Sequence, residues 1–158
     1  MAAILNSDYT PSTQEISSFR KGSYRKTIIS AGELVYRIVT KKDEKNSIAG
    51  NNIVEGRYWI DDETFRELSS RVDYECFLRT LTNIMRNALA LTTDFSQLAD
   101  SFICAELKED VYAFKGRAAR QAEYTKNGIR IIYPGNVNQL LLPNLTPKTV
   151  RLKFFHSI

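Results

Sequence analysis

The sequence predicts one α+β domain, in which an antiparallel or mixed β-sheet packs against helices that lie mainly in the N-terminal half of the chain. Strand-like and helical runs follow one another in the order strand, helices, strands, which is typical of this class. The chain has 158 residues, enough for one domain with a buried core, and it has no internal repeat. Its 43% hydrophobic and 25% charged residues are ordinary for a globular protein.

The first third of the chain predicts two strands. Residues 1–15 are polar and are interpreted as a flexible lead-in, which leaves residues 16–158 as the domain. The run Leu34–Val39 is β-branched and aromatic, which favours a strand, and residues 57–60 form a second run of this kind. The charged stretch between them, residues 41–52, contains Asn and Gly and predicts a loop.

Helices are predicted in the middle of the chain. Asp61, Asp62 and Glu63 place carboxylates where the free amides and the dipole of a helix N-terminus favour them. Thr93 or Asp94 is expected to cap a short helix that continues to Phe102. Between these two sites, a long amphipathic helix is predicted from apolar residues with helical spacing: Phe77, Leu78, Leu81, Ile84, Met85, Ala88 and Leu89.

The last third of the chain predicts strands only. They are expected at residues 110–116, 128–133, 137–143 and 150–155, with a turn at Pro134-Gly135 between the second and the third.

Metal, cysteine and histidine chemistry is not expected to carry the function. Cys76 and Cys104 lie far apart among apolar residues, where a free cysteine behaves as a small hydrophobic residue. The only histidine, His156, is close to the end of the chain and is a poor general base for that reason. The sequence contains no P-loop, dinucleotide-binding glycine motif, zinc-protease motif or nucleophile elbow. Arginines, aromatic residues, amides and a few carboxylates remain as candidates.

The charge of the chain suits an anionic ligand or an acidic protein partner. The net charge is +4, which is too small to indicate nucleic-acid binding. The densest basic patch, Arg20, Lys21, Arg25 and Lys26, is interpreted as a solvated surface. The sequence shows neither the roughly 20 apolar residues of a membrane-spanning helix nor the pattern of a signal peptide, so we expect no membrane association.

Three polar or aromatic positions stand out among the predicted strands. Arg37 lies within an apolar strand, opposite in face to Tyr36, so its guanidinium can point into a cleft and bind phosphate oxygens. Tyr58 or Trp59 can stack on a flat cationic ring such as nicotinamide. Gln139 stands at a strand start, where its amide can hold a sugar hydroxyl or a water.

Each of these positions also has a structural interpretation. Arg37 is equally explained as an ordinary edge-strand arginine, Trp59 as an anchor of the core, and Gln139 as a capping or ladder-edge residue.

Four segments together resemble the ADP-ribosyltransferase-like domains of bacterial polymorphic toxins. They are VYRIV (35–39), GRYWI (56–60), VYAFKGRAARQ (111–121) and YPGNVNQLLLP (133–143). Within that superfamily the chain is most similar to the NAD-glycohydrolase branch, related to tuberculosis necrotizing toxin and to secretion-system NADase effectors. The resemblance implies the split antiparallel or mixed β-sheet core of these domains.

The resemblance also implies a site. Arg37 would bind the NAD phosphates, and Gln139 would hold the ribose or orient the attacking water, which makes these two the catalytic candidates. The nicotinamide side would be lined by Tyr36, Tyr58 and Trp59, with Gln121 as a secondary pocket residue. The chain departs from the family at Pro134-Gly135-Asn136, where a run of glycines is common, and at Val137 and Gln139. Protein-modifying transferases usually have a glutamate at the position of Gln139 and an acidic or amide residue at that of Val137.

The implied reaction is hydrolysis of the nicotinamide–ribose bond of NAD+ or NADP+. Its transition state is oxocarbenium-like, and the leaving nicotinamide is already cationic, so no general acid is required. Binding and electrostatic placement can supply most of the rate. Val137 cannot help to activate a protein nucleophile, which favours water as the acceptor. Two alternatives remain open: a mono-ADP-ribosyltransferase with a protein or nucleic-acid target, and a non-catalytic basic RNA-binding module that uses residues 20–26.

The resemblance further implies a setting for the chain. We expect a toxin that acts in the cytoplasm of a target cell after delivery by a secretion system or as part of a larger polypeptide. We also expect an acidic cognate immunity protein that complements the basic domain. The chain is expected to be a monomer, with the dinucleotide as substrate and no further cofactor or metal.

Overall fold

The structure is a computed structural model that describes residues 3–39, 56–70, 101–124, 126–133 and 135–157. Within these ranges there are two helices, α1 (Thr13–Ser17) and α2 (Asp62–Ser69). The strands of the same ranges are β1 (Arg25–Ile29), β2 (Leu34–Val39), β3 (Tyr58–Asp61), β4 (Ser101–Leu107), β5 (Val111–Arg117), β6 (Gln121–Tyr124), β7 (Arg130–Tyr133), β8 (Asn138–Leu141) and β9 (Val150–Ser157).

Seven of these strands form one sheet in the order β1-β5-β8-β3-β2-β4-β9, and β6 pairs with β7 in a separate hairpin. Each pair of neighbouring strands is antiparallel. The prediction of an α+β domain with an antiparallel sheet is therefore confirmed.

The short strand β3 joins the two halves of the seven-stranded sheet. Its first half, Tyr58 and Trp59, pairs with β8, whereas its second half, Ile60 and Asp61, pairs with β2. Strand β8 thus pairs with the first two residues of β3, and β2 pairs with the last two. The two halves of the sheet are therefore joined over a short distance only.

Apolar side chains cover both faces of the sheet near β3. Alternation along the strand sends Trp59 to one face and Tyr58 to the other. The main core lies on the face of Trp59 and also contains Ile29, Val35, Ile103, Ala105, Leu107, Val111, Ala113, Leu140, Leu142, Leu145 and Val150. A smaller cluster lies on the face of Tyr58 and is built from Phe19, Phe114 and Leu141, against which Tyr9 and Tyr24 also pack.

The described N-terminal residues are hydrogen-bonded to the rest of the fold. Asn6 is buried, and its Nδ2 donates to the carbonyl oxygens of Tyr112 (3.1 Å) and Pro143 (2.8 Å). Leu5 packs against the main core. Because a buried amide is stable only with such partners, the segment that begins at residue 3 belongs to the domain.

Most predicted strands are present. The predictions at residues 34–39, 57–60, 110–116, 128–133, 137–143 and 150–155 correspond to β2, β3, β5, β7, β8 and β9. The sequence does not predict β1, β4 or β6.

One predicted helix end is wrong, because Phe102 lies in β4, where it pairs with Ile38. Other predictions lie outside the described residues: the long helix from Phe77 to Leu89, the caps at Thr93 or Asp94, the loop at residues 41–52, Cys76 and Pro134. Cys104 is buried, as the sequence predicts.

Helix α2 begins where the acidic run predicts it. The Asp61 carboxylate accepts from the Thr64 amide at 2.8 Å and forms an ion pair with Lys115 Nζ at 2.7 Å. Burial raises the pKa of Asp61, but the Lys115 ammonium and the Thr64 amide outweigh it and hold the pKa below the ordinary aspartate value. One carboxylate therefore caps α2 and links β3 to β5.

Two substitutions separate these roles of Asp61. Asp61→Asn should lose the ion pair and keep the cap, whereas Asp61→Ala should lose both and be less stable by a further ~1 kcal/mol. Because the folded-state pKa is lowered, the ion-pair contribution is complete above the unfolded-state pKa and is lost as the pH falls through the folded-state pKa. Urea unfolding at neutral and acidic pH measures both effects. Equal stability of the two variants would contradict the cap, and a gap between wild type and Asp61→Asn that persists in acid would contradict the ion pair.

Candidate functional site

A polar pocket of about 370 Å³ lies between α1 and the start of β3. Its volume is within the range of small-molecule sites in proteins. Three segments form it: helix α1 with its flanking residues, the start of β3, and the first residue of β6. The lining residues are Ser12, Gln14, Glu15, Ser17, Ser18, Arg57, Tyr58 and Gln121.

Glu15 and Arg57 form the charged wall of this pocket. Arg57 Nη1 lies 2.9 Å from Glu15 Oε2, and Glu15 Oε1 accepts from the Tyr9 hydroxyl at 2.6 Å and from the Ser12 amide at 2.9 Å. The Ser12 hydroxyl accepts in turn from the Glu15 amide at 3.1 Å, which completes a capping box at the start of α1. The carboxylate is therefore held in one position by three donors.

The charges of this pair are fixed over a wide pH range. Burial raises the pKa of Glu15, but the Ser12 amide, the Tyr9 hydroxyl and the Arg57 guanidinium lower it by more, so the pKa lies below the ordinary glutamate value. The bond to Glu15 raises the pKa of Arg57. Burial and the bond to Glu15 raise the pKa of Tyr9, which stays neutral and donates. At neutral pH the pocket thus presents an anion beside a cation.

Gln139 lies beneath α1 rather than in the lining. It is 4% exposed, and its Nε2 donates to the Ser18 carbonyl oxygen at 2.9 Å. It stands on β8 opposite Gly116 of β5. Because Ser18 caps the C-terminus of α1 and lines the pocket, Gln139 fixes the position of one pocket wall.

Arg37 and Trp59 both contact Gly56, the residue that precedes Arg57. The indole Nε1 of Trp59 donates to the Gly56 carbonyl at 2.7 Å, and the Arg37 guanidinium packs so closely on Gly56 that a Cβ there would lie 2.0 Å from its Cζ. Trp59 is 1% exposed and belongs to the main core. Of the two aromatic candidates, only Tyr58 lines the pocket.

Tyr36 is a packing residue between β2 and α2. Its ring stacks on Phe65 at 3.8 Å between centroids, and its hydroxyl donates to Asp62 at 2.8 Å. Burial and the bonds to Asp62 and Cys104 raise its pKa, so it stays neutral. Tyr36 does not line the pocket.

The structure therefore places only some of the predicted site residues at one pocket. Tyr58 and Gln121 line one pocket with Gln139 directly behind it. Arg37 packs on Gly56, the residue before the lining residue Arg57, and Tyr36 and Trp59 are packed elsewhere. Sequence reasoning missed Glu15 and Arg57. The pattern Ser12-x-x-Glu15 is a capping-box signature and was a detectable sign that a helix begins there.

A second cleft, of about 580 Å³, is less suited to an anionic ligand. Residues of β1, β2, β3, α2 and β5 line it. Acidic residues outnumber basic ones in its lining, which includes Glu33, Asp61, Asp62 and Glu63 against Arg25 and Lys115.

No three His, Cys, Asp or Glu side chains of the described residues are grouped so as to hold a metal ion. No helix in the described ranges has both the length and the apolar character needed to cross a membrane.

Comparison with known proteins identifies relatives by fold only. No protein-family model and no curated protein matches the sequence significantly. Among solved structures, a chain in the structure of Tne2 in complex with Tni2 superposes with a TM-score of 0.54 at 12% identity, covering 86% of this chain and 92% of that chain. A chain in the structure of Rhs1-CT in complex with its cognate immunity protein RhsI1 gives a TM-score of 0.50 at 12% identity, covering 85% and 81%. These likenesses show a shared fold, and one of the two structures contains a cognate immunity protein.

Glu15→Gln tests whether the carboxylate charge stabilises the pocket wall. Glutamine can complete the same capping box, so the variant should lose only the charge-assisted part, about 1–2 kcal/mol at pH 7, reduced because Arg57 is 55% exposed. The folded-state pKa of Glu15 is lowered, so this contribution is complete above the unfolded-state pKa of roughly 4.3 and is lost as the pH falls through the folded-state pKa. Urea unfolding between pH 7 and pH 3 should show that the free energies of unfolding of the wild type and of Glu15→Gln become similar in acid. A difference in stability that does not depend on pH would contradict the charge argument.

Proposed function

We propose that this chain is a toxin-type NAD(P)+ glycohydrolase that cleaves the nicotinamide–ribose bond with water as acceptor. The observation that carries the proposal is the pocket between α1 and β3, which combines an arginine, a tyrosine, an amide and a fixed carboxylate. Anions, flat rings and hydroxyls are the parts of a dinucleotide, and these side chains complement each of them.

The fold supports the toxin part of the proposal. One of the two similar chains comes from a complex with a cognate immunity protein, and the other comes from the complex of Tne2 with Tni2. We extend the proposal to action in the cytoplasm of a target cell and to an acidic immunity protein as partner.

The proposed binding mode assigns one part of the substrate to each lining residue. Arg57 binds phosphate oxygens: both of its side-chain hydrogen bonds to described residues use Nη1, and more than half of the side chain is exposed. The Tyr58 ring packs against nicotinamide, and the Gln121 amide bonds the carboxamide or a ribose hydroxyl. Nicotinamide in the oxidised dinucleotide is cationic, so an aromatic face attracts it.

The proposed chemistry needs no titrating side chain. The bond between the ribose C1′ and the nicotinamide nitrogen breaks, and its electron pair goes to the ring, which leaves as neutral nicotinamide. Positive charge then develops on the ribose, as in glycoside cleavage. A water oxygen bonds C1′ and its proton passes to solvent, which yields ADP-ribose or its 2′-phosphate.

Glu15 fits an electrostatic role in this reaction. Three donors occupy its carboxylate, and its pKa is lowered, so it is a weak base. A fixed anion in the pocket stabilises the developing ribose cation without proton transfer. Gln139 and Arg37 act in the proposal as positioning residues, Gln139 through Ser18 and Arg37 through Gly56.

The first test measures nicotinamide release from NAD+ and NADP+ by purified protein. Arg57→Ala and Tyr58→Ala should each lower kcat/KM by about 100-fold, in line with the loss of one charged or stacking contact in a preorganised site. Arg66→Ala is the matched control, because Arg66 is 78% exposed on α2 and pairs only with Asp62 among the described ion pairs. No release at high enzyme concentration would refute the proposal. Label from NAD+ that remains on a lysate macromolecule would instead indicate a transferase.

The second test concerns Arg37. Gly56→Ala must displace the Arg37 guanidinium, because the new Cβ would lie 2.0–2.5 Å from its atoms. If Arg37 positions the start of β3, Gly56→Ala and Arg37→Ala should both lower kcat by about tenfold or more and leave KM almost unchanged. A large rise in KM for Arg37→Ala, with Gly56→Ala close to wild type, would show that Arg37 itself binds the phosphates.

A further inference from the structure

The β6–β7 hairpin (residues 121–133) stands apart from the seven-stranded sheet and beside the pocket. Within the described chain, β6 and β7 pair only with each other. The Ala119 amide, just before the hairpin, donates to the Ser18 carbonyl at 2.9 Å, and Gln121 at its root lines the pocket. Anything that binds the hairpin near its root is therefore close to the pocket mouth.

This hairpin carries a concentration of exposed apolar side chains. Four of the seven large hydrophobic residues that are exposed in the described chain lie on it: Tyr124 (70%), Ile129 (60%), Ile132 (42%) and Ile131 (36%). A two-stranded hairpin without a packed face is marginally stable in water. Exposed apolar groups in one place mark an interaction surface.

The exposed residues lie on both faces of the hairpin. Ile132 pairs with Ala122 and Ile131 with Glu123, so neighbouring isoleucines point in opposite directions, and Tyr124 shares the face of Ile132. A membrane plane contacts one face of a hairpin. A groove in a protein contacts both faces, which favours a protein as the binding partner of the hairpin.

The charge of the hairpin indicates the charge of the groove that binds it. Lys126 and Arg130 lie on the hairpin and Arg120 lies directly before it, all three exposed, against a single acidic residue in this stretch, Glu123. The excess of positive charge disfavours a second copy of this chain and favours an acidic partner.

We propose that the β6–β7 hairpin inserts into an acidic, apolar-lined groove of a protein partner, which then covers the neighbouring pocket. The apolar side chains on the two faces fill the groove, and the three basic residues pair with its rim. The consequence that docking blocks NAD+ rests on the proposed function, whereas the docking itself does not.

The experiment begins with the purified chain, immobilised and exposed to a lysate of the cells that produce it. The retained protein is identified, purified and titrated by calorimetry against wild type and against Tyr124→Ser/Ile132→Ser, a double variant of exposed residues that should fold normally. We expect at least ~30-fold weaker binding for the double variant, as for loss of central anchors of an interface. Leu152→Ser is the matched control, because Leu152 is 41% exposed on β9 at the far edge of the sheet.

Each other outcome overturns the docking proposal. These outcomes are that no protein is retained, that Leu152→Ser weakens binding as much as the double variant, or that the hairpin binds phosphatidylserine–phosphatidylcholine vesicles in place of a protein. Nicotinamide release is measured alongside. If binding follows the hairpin but neither wild type nor variant releases nicotinamide, only the proposed function fails.

Discussion

The pairing of β3 with a different neighbour at each end constrains the rest of the described fold. Because this strand has only four residues, each of its side chains has a defined role. Trp59 fills the main core, and its indole bond to Gly56 fixes the start of the strand. On the opposite face, Tyr58 meets the pocket, with Arg57 immediately before it. The sheet joint and the candidate site therefore depend on the same few residues.

Helix α1 shows how a weak element becomes a rigid pocket wall. Five residues are too few for a helix that is stable by itself. Its stability comes from the capping box, from the bonds of Glu15 to Tyr9 and Arg57, and from Gln139, which holds the last turn through Ser18. Phe19 beyond the helix is buried against Tyr24 and Phe114. The wall thus forms only when β3, β5 and β8 are in place.

The described charged side chains form two different environments, one in the pocket and one on the hairpin. In the pocket, Glu15 and Arg57 are paired, and their pKa values are shifted away from neutrality, which suits a reaction driven by fixed charges. On the hairpin, the cations are exposed and lie among apolar side chains, which suits recognition of another protein. Gln121 belongs to both regions, so the proposed active site and the proposed docking surface are adjacent.

The sequence by itself determined the α+β class, the strands that are rich in β-branched and aromatic residues, and the start of α2 at Asp61. These features depend on side-chain alternation and capping, which act between residues close in the chain. Strands β1 and β6 were not predicted because their residues are largely polar. The role of Glu15 was missed because residues 1–15 were interpreted as a flexible lead-in. Only the tertiary structure decided which candidates meet. Gln139 joins Ser18 across 121 positions, and Arg57 joins Glu15 across 42. Such contacts are set by strand order and by the pleat of β3, which local patterns do not encode.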